Sequence, residues 1–340
     1  MLKNPDSAQA DALGSSYANR RVLITGGLGF IGSALAIELV RLGAKVTIVD
    51  SLLPEYGGNL FNTASIRDQV VINISDMRDQ HSLKILVQGQ DIIFHLAGQV
   101  SHGDSMREPE LDLAVNCVSS MNLVEACRQR NPNVRLVYTS TRQVYGVPKN
   151  LPVTEDHPAL PVDVNGINKL AAEYYHLLYH RTYDLKSTVL RLTNTYGPRQ
   201  QIRNNRQGFI GIFIRQALQG EMIRVFGDGQ QIRDFNYIDD VVHALLLAAR
   251  CDACFGQVFN LGAPVYHTVL ELVQMLSQLT GVQFELTPFP NDRKLIDIGH
   301  YYGDYQRFAG ATQWEPTVGL EEGLLKSIDF YRTHRKEYWA

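Results

Sequence analysis

The chain has 340 residues, a formal net charge of −3 and 45% hydrophobic residues, a composition typical of a soluble enzyme with about two domains. This charge balance argues against nucleic acid or an anionic membrane as a partner. The four cysteines are too sparse for a disulfide scaffold, and Cys251-x-x-Cys254 has neither a second pair nor a histidine cluster nearby. We therefore expect no metal site and a cytoplasmic location.

The first 20 residues are polar, and charged residues interrupt any signal-peptide core. We predict that residues 1–20 form a flexible or loosely packed leader. The sequence has no uninterrupted apolar run of the ~18 residues that a membrane span needs. After the leader we predict a first domain at residues 21–190 and a second at residues 191–340, with an interleaved boundary.

The first domain alternates between β-branched apolar segments and helix-like segments. Strands are predicted at residues 22–24, 46–49, 70–74, 91–96, 135–139 and 188–192. Helices are predicted between most of them, at residues 31–42, 81–88, 113–130 and 168–183. This alternation predicts an α/β fold with a Rossmann-type, doubly wound parallel sheet covered on both faces.

The pattern changes after about residue 191. A loop rich in Arg, Asn and Gln is followed by short strand-like segments and by helices predicted at residues 209–218, 241–250, 268–280 and 320–331. We interpret this part as a smaller α/β domain.

A glycine-rich segment, Thr25 to Gly32, lies between the first strand and the first helix. Gly26 and Gly29 allow a tight turn and a close approach to a pyrophosphate, while Gly32 allows the helix to pack on the strand. The free amides and positive end of the helix then face the phosphates. Asp50 ends the second strand 18 residues after Gly32, where a carboxylate accepts ribose hydroxyls and repels a 2′-phosphate. This order predicts NAD rather than NADP.

Further motifs occur along the chain, at His95 to Gly98, Thr139 to Thr141, Val144 to Gly146, Arg191 to Asn194, Tyr196 to Arg199 and Arg233 to Val241. With the glycine loop they resemble the extended short-chain dehydrogenase/reductase superfamily, in its NAD-dependent nucleotide-sugar epimerase/dehydratase branch, typified by UDP-galactose 4-epimerase. The resemblance covers residues 21–331. It implies a nucleotide-sugar substrate bound by the second domain, and a homodimer formed by the helices at 113–130 and 168–183.

The resemblance also implies individual roles. The implied cofactor-binding residues are Gly26, Gly29, Phe30, Ile31, Gly32, Asp50, Asp76, Met77, Leu96, Ala97, Gly98, Asn116 and Lys169. The implied substrate-binding residues are Asn194, Arg233 and Arg293, and Arg142 is a candidate for holding an acidic substrate group. A guanidinium suits diphosphate oxygens because it presents a planar fork of donors. From the residues alone, Leu96 and Met77 are equally compatible with core packing, Asn116 with a helix surface, and the arginines with surface charges.

One position departs from the superfamily pattern. A tyrosine followed four residues later by a lysine supplies the base there, because both lie on one helix face and the ammonium favours the phenolate. Here Asn165 occupies the tyrosine position and Lys169 remains. An amide does not ionise, so the candidates for the proton transfer are Lys169, Thr141 and three residues of strand-end loops, namely Tyr145, His102 and Asp104.

Arg142 and Gln143 directly follow Thr141. At these two positions resembling dehydratases have Asp-Glu, and resembling decarboxylases keep a Glu at the second. Neither side chain is a carboxylate acid or base. The pattern therefore favours an epimerase that transiently oxidises a sugar hydroxyl, with C4 as the preferred position. The alternatives are an altered dehydratase or decarboxylase, and a non-catalytic protein that binds NAD or a nucleotide sugar.

Overall fold

The computed structural model describes residues 13–53 and 56–339. Its centre is a parallel sheet of seven strands. In chain order these are β1 (Arg21–Thr25), β2 (Lys45–Asp50), β3 (Val70–Ile74), β4 (Ile92–His95), β5 (Arg135–Thr141), β6 (Lys186–Leu192) and β10 (Val258–Asn260). The spatial order is β10-β6-β5-β4-β1-β2-β3, and every neighbouring pair is parallel. The predicted Rossmann-type α/β fold is confirmed.

Helices cover both faces of this sheet. They are α1 (residues 13–17), α2 (Phe30–Arg41), α3 (Gln80–Leu86), α4 (His102–Arg107), α5 (Pro109–Asp112), a π-helical segment (Leu113–Val118), α6 (Ser119–Arg130) and α7 (Val164–Tyr183). Helix α7 begins four residues before its predicted start, because the Asp163 side chain accepts a hydrogen bond from the Gly166 amide and caps it. Asn165 and Lys169 therefore lie on the same helix, one turn apart.

The order of the strands decides where a ligand binds. The chain builds β1, β2 and β3 outward in one direction, then crosses to β4 on the other side of β1. The loops that follow β1 and β4 consequently diverge at the carboxyl edge of the sheet and leave a crevice between them. Both strands are buried on both faces, which explains their continuous apolar sequence.

The second part of the chain carries small sheets and further helices. The strands are β7 (Asn194–Tyr196), β8 (Ile223–Phe226), β9 (Ile232–Tyr237), β11 (Tyr266–Thr268) and β12 (Phe284–Thr287). The helices are α8 (Phe209–Gln219), α9 (Ile238–Arg250), α10 (Val269–Thr280), α11 (Asn291–Lys294), α12 (Gln306–Thr312), α13 (Leu320–Thr333) and α14 (Arg335–Trp339). Within the described residues, no helix has the length and apolar character needed to cross a membrane.

The chain returns to the first sheet after residue 191. Strand β10 pairs with β6 as the seventh strand, and α9 packs against α2 and β5. The sequence did not predict β10, because a strand of three residues is too short to produce a recognisable pattern. The two structural units are thus interleaved, and residues 238–260 belong with the first.

The end of the predicted leader packs into the core. Residues 1–12 lie outside the described part of the chain, but residues 13–17 form α1, and the Tyr17 side chain is completely buried. Its hydroxyl donates a hydrogen bond to the Leu246 carbonyl of α9 at 2.7 Å. Leu13 and Tyr17 are four residues apart and share one helix face, a pattern that the polar neighbours hid. A loosely packed leader is therefore wrong for these residues.

We predict that Tyr17→Ala lowers the free energy of unfolding by about 3–5 kcal/mol, because it empties a fully buried aromatic site. Urea unfolding measures this change. Ile85→Ala on α3 is the matched control, since Ile85 is 60% exposed and its truncation is expected to cost less than about 0.5 kcal/mol. Equal effects of the two substitutions would contradict the packing of α1.

Candidate functional site

The glycine loop brings three backbone segments into close contact. Gly26 has a φ of +68°, and a Cβ added there would lie 2.8 Å from the Ala97 backbone. A Cβ on Gly32 would lie 2.3 Å from the Gly26 carbonyl oxygen. Gly29 precedes α2 without a side-chain cap, so the first amides of the helix keep their donors for a ligand. A diphosphate fits this cradle, which any larger residue would fill.

Asp50 ends β2 beside this loop. Its two carboxylate oxygens accept hydrogen bonds from the amides of Leu28 and Leu52, at 3.1 and 2.9 Å. Burial raises the pKa of Asp50 and these amides oppose that rise. The remaining lone pairs suit hydroxyl donors. Asp76, expected near the adenine, lines the cavity and forms an ion pair with Arg78 at 2.5 Å.

A buried histidine fixes the loop that follows β4. Nδ1 of His95 lies 2.8 Å from the Thr25 hydroxyl, and its Nε2 lies 2.9 Å from the Ser120 hydroxyl. The Thr25 hydroxyl also accepts hydrogen bonds from the amides of Leu96 and Ala97, each at 3.2 Å. Burial holds the pKa of His95 well below its usual value, so the ring is neutral. These bonds set the distance between the β1 and β4 loops.

Lys169 lies where these loops meet α7. Its Nζ donates to the Thr139 carbonyl at 3.1 Å and lies 5.0 Å from the centre of the Tyr138 ring. A Cβ on Gly98 would come within 3.0 Å of that Nζ and 2.8 Å of the Asn116 amide oxygen. Burial lowers the pKa of Lys169 to about 8. As an ammonium, Lys169 can donate hydrogen bonds to ribose hydroxyls, and its lowered pKa makes the neutral amine, which can accept a proton, accessible near neutral pH.

Asn165 is held by two acceptors. Its amide nitrogen donates to the Gln99 carbonyl at 2.8 Å and to a carboxylate oxygen of Asp112 at 3.1 Å. The other Asp112 oxygen accepts from the Asn168 amide at 2.8 Å. Since both partners of Asn165 are acceptors, they determine which way its amide faces and leave its oxygen as the group available to a ligand hydroxyl. The structure thus leaves the Asn165 side-chain oxygen as a hydrogen-bond acceptor, on an amide that does not ionise.

Thr141 and Tyr145 differ from each other in position. Thr141 ends β5, lines the cavity and accepts a hydrogen bond from the Gln143 amide at 3.2 Å. Tyr145 lies below the site and does not line the cavity. Its hydroxyl donates to Asn260 and accepts from Arg191, both at 2.7 Å, and burial raises its pKa to about 12. The prediction of Tyr145 as a catalytic residue is therefore wrong, because its hydroxyl is fully used in the core.

Of the two remaining loop candidates, His102 lines the cavity and Asp104 does not. Nδ1 of His102 lies 2.9 Å from the carboxylate of Asp163, and the imidazole lines the cavity. The Asp163 side chain is fully buried, so it orients the ring and leaves Nε2 for a ligand. The buried side chain of Asp104 forms ion pairs with Arg107 and Arg206, which balance its negative charge. Asp163 is not among the site residues predicted from the sequence, although an aspartate just before a helix is a recognised cap signal.

The second part of the chain contributes cationic and amide groups. Arg233 is 6% exposed, pairs with Asp297 at 3.1 Å, and has its pKa lowered to about 10 by burial. The Asn194 amide donates to the Asp234 carbonyl at 2.9 Å. Arg293, in α11, is exposed and lies 5.6 Å from the ring centre of a phenylalanine in β8. Arg142, which follows Thr141, reaches the same region from the first sheet.

One cavity of about 1180 Å³ joins these groups. It extends from the glycine loop, past Lys169, to the arginines of the second part. The predicted site residues that line it are Gly26, Gly29, Phe30, Ile31, Gly32, Asp50, Asp76, Met77, Leu96, Ala97, Gly98, Thr141, Arg142, Asn165, Lys169, Asn194, Arg233 and Arg293. Asn116 lies directly behind Gly98, outside the lining, where its amide nitrogen donates to the Gln99 carbonyl at 3.0 Å. Among the described residues, no group of three or more potential metal ligands clusters together.

Comparison with known proteins gives consistent results. A model described as the NAD dependent epimerase/dehydratase family matches residues 22–262. UDP-glucose 4-epimerase of Mycolicibacterium smegmatis is 34% identical, over 92% of this chain and 98% of its own length.

Solved structures agree in fold over nearly the whole length. UDP-glucose 4-epimerase from Thermotoga maritima, solved with UDP-glucose, is 33% identical with a TM-score of 0.85, over 93% of this chain and 99% of its own. MoeE5, solved with UDP-glucuronic acid and NAD, is 30% identical with a TM-score of 0.80, over 92% of this chain and 99% of its own.

We predict that Gly32→Ala weakens NAD binding by at least ~10-fold, because its Cβ collides with the Gly26 carbonyl and displaces the loop from the helix end. Isothermal titration calorimetry measures the affinity, and a thermal melt verifies that the variant is folded. Gly310→Ala in α12 is the matched control, since a Cβ there meets nothing within 4 Å. A folded Gly32→Ala protein with wild-type affinity would exclude the loop as the dinucleotide site.

Proposed function

The chain belongs to the NAD-dependent epimerase/dehydratase family, and from that premise we propose that it is a nucleotide-sugar epimerase that transiently oxidises a sugar hydroxyl, at C4. One observation carries the proposal. A complete dinucleotide cradle adjoins a buried lysine of lowered pKa, whereas the two residues after Thr141 provide no carboxylate. A dehydratase or decarboxylase needs an additional acid or base there, so epimerisation is the reaction that this residue set supports best.

In the proposed reaction, the residues that line the cavity have distinct roles. NAD, when bound, supplies reversible hydride acceptance from the sugar carbon. Lys169 holds the cofactor ribose and takes the hydroxyl proton in its neutral form. The Thr141 hydroxyl and the Asn165 amide oxygen hydrogen-bond the reacting sugar oxygen, and neither changes its protonation state. Arg233, Asn194 and the exposed Arg293 bind the nucleotide diphosphate and sugar from the second part of the chain.

The nucleotide is proposed by analogy with relatives. The relative from Mycolicibacterium smegmatis is a UDP-glucose 4-epimerase, and the two solved neighbours bind UDP-glucose and UDP-glucuronic acid. We therefore propose a UDP-sugar as the substrate. The His102–Asp163 pair is the second candidate for the base, because a buried carboxylate orients an imidazole at the cavity wall.

The proposed function predicts interconversion of C4 epimers when the purified protein is incubated with NAD and a panel of UDP-sugars, followed by NMR. The rate is expected to rise with pH and to level off above about 8, because burial places the pKa of Lys169 there and only the neutral amine accepts a proton. Lys169→Met should reduce kcat by about 10²- to 10⁴-fold, the usual contribution of a general base.

Matched variants identify the base and the reaction class. Lys149→Met removes an exposed lysine and should leave the rate unchanged. If His102→Gln abolishes turnover while Lys169→Met retains it, the base is His102. If the wild type converts no sugar but Asn165→Tyr gains turnover, the natural protein is a non-catalytic binder of NAD or a nucleotide sugar, and the epimerase proposal fails.

We also propose that the protein is a homodimer. Helix α7 exposes Ile167, Tyr174 and Leu178, which are 53, 63 and 41% exposed, and the neighbouring π-helical segment exposes Leu113. A row of exposed apolar side chains at helical spacing suits a helix–helix interface with a second copy.

Multi-angle light scattering is expected to give twice the chain mass for the wild type. Tyr174→Asp should shift the protein toward monomer, because it places a charge in the apolar interface. Leu286→Asp, on β12, places the same charge at an exposed apolar position elsewhere and should remain dimeric. A monomeric wild type would refute the proposal.

A further inference from the structure

Arg142 is a half-buried cation that forms no ion pair with any carboxylate in the described part of the chain. Its Nε is buried and makes no hydrogen bond within the described part of the chain. The guanidinium carbon lies 5.6 Å from the centre of the Tyr301 ring, which covers one face but supplies no anion. Burial lowers the pKa of this guanidinium, since removing it from water disfavours its charge.

The carboxylates nearest to Arg142 are all engaged by other groups. Asp297 pairs with Arg233, Asp163 with His102, and Asp234 with the Thr193 hydroxyl and the Gly303 amide. Their charges act on Arg142 through space, but none of the described carboxylates forms an ion pair with it. Leaving the buried Nε donor of a charged group without an acceptor is costly, so an anionic ligand that accepts from it would stabilise the guanidinium.

The position of Arg142 relates it to the sugar. It follows Thr141, which the proposed function places at the reacting sugar oxygen. On the other side it lies close to Arg233, whose pKa is lowered first by burial and then by the positive charge of Arg142. Arg142 is thus between the hydride-transfer end of the cavity and the cations assigned to the diphosphate.

We propose that Arg142 binds a carboxylate on the sugar ring, so that the substrate is a nucleotide sugar of the uronic-acid type. This inference rests on the proposed function for the placement of the sugar. A guanidinium presents two parallel donors to a carboxylate, and such a pair is strong where water is excluded. A neutral sugar offers these donors hydroxyl oxygens but no negative charge, so its hydrogen bonds to the guanidinium are weaker.

Binding measurements test the proposal without requiring turnover. With NAD bound, the wild type is expected to bind UDP-glucuronate at least ~10-fold more tightly than UDP-glucose, which has a hydroxymethyl group in place of the carboxylate. Arg142→Gln should weaken UDP-glucuronate binding by about 10- to 100-fold and change the affinity for UDP-glucose and UDP by less than about threefold. Isothermal titration calorimetry measures all three ligands.

Two further variants separate the possible roles of the arginine. Arg142→Lys keeps the positive charge but loses the two parallel N–H donors, and it should retain part of the preference for UDP-glucuronate. Arg293→Gln should weaken all three ligands alike, because its proposed partner is the diphosphate that they share. Thermal melts without sugar ligand verify folding, and UDP-glucuronate should raise the Tm of the wild type more than that of Arg142→Gln.

Three results would overturn the proposal. They are equal affinity of the wild type for UDP-glucuronate and UDP-glucose, an equal loss for all three ligands in Arg142→Gln, and failure of UDP-glucuronate to bind. The proposed epimerase activity is judged separately, by conversion. Tight binding of UDP-glucuronate without epimerisation would support the carboxylate site and reject the epimerase activity. Epimerisation of UDP-glucose without a preference for the carboxylate would support the activity and reject the carboxylate site.

Discussion

The site depends on one buried backbone carbonyl, that of Gln99. It accepts hydrogen bonds from the side-chain amides of Asn116 and Asn165, at 3.0 and 2.8 Å, and so joins the loop after β4 to the π-helical segment and to α7. The Asp112 carboxylate, which binds Asn165 and Asn168, completes the connection. Because each of these polar groups is buried, losing one partner would leave others unsatisfied.

This network determines which group Asn165 presents to the cavity. A tyrosine at this position would present a phenol to the cavity, whereas the amide is held by two acceptors and presents only an oxygen. The loss of an ionisable group therefore comes with a rigid, correctly oriented acceptor. In the proposed reaction, proton transfer falls to other groups, above all to Lys169, because burial lowers its pKa to about 8.

A second feature of the cavity is that it is lined by cationic side chains partly or fully removed from water. Lys169, Arg142 and Arg233 all have pKa values lowered by desolvation, and only Arg233 has an ion-pair partner among the described residues. Such an arrangement costs stability in the free protein, but it prepares the site for a ligand with several negative charges. NAD and the nucleotide sugar of the proposed function would provide those charges.

The sequence by itself determined the elements whose pattern is local. The strand, glycine turn and helix of Val22 to Leu42 were predicted because their spacing is a property of adjacent residues, and the resemblance of later motifs identified the family. Strand β10 and the burial of Tyr17 were missed, since each depends on a partner more than 60 residues away.

Only the tertiary structure decided which candidates can act. It moved Tyr145 into the core, where Arg191 and Asn260 occupy its hydroxyl, and it paired His102 with Asp163 at the cavity wall. It also showed that Arg142 lacks a carboxylate partner among the described residues. The physical reason is common to all three. Hydrogen bonding and desolvation depend on which distant segments surround a side chain, and the order of residues along the chain does not contain those distances.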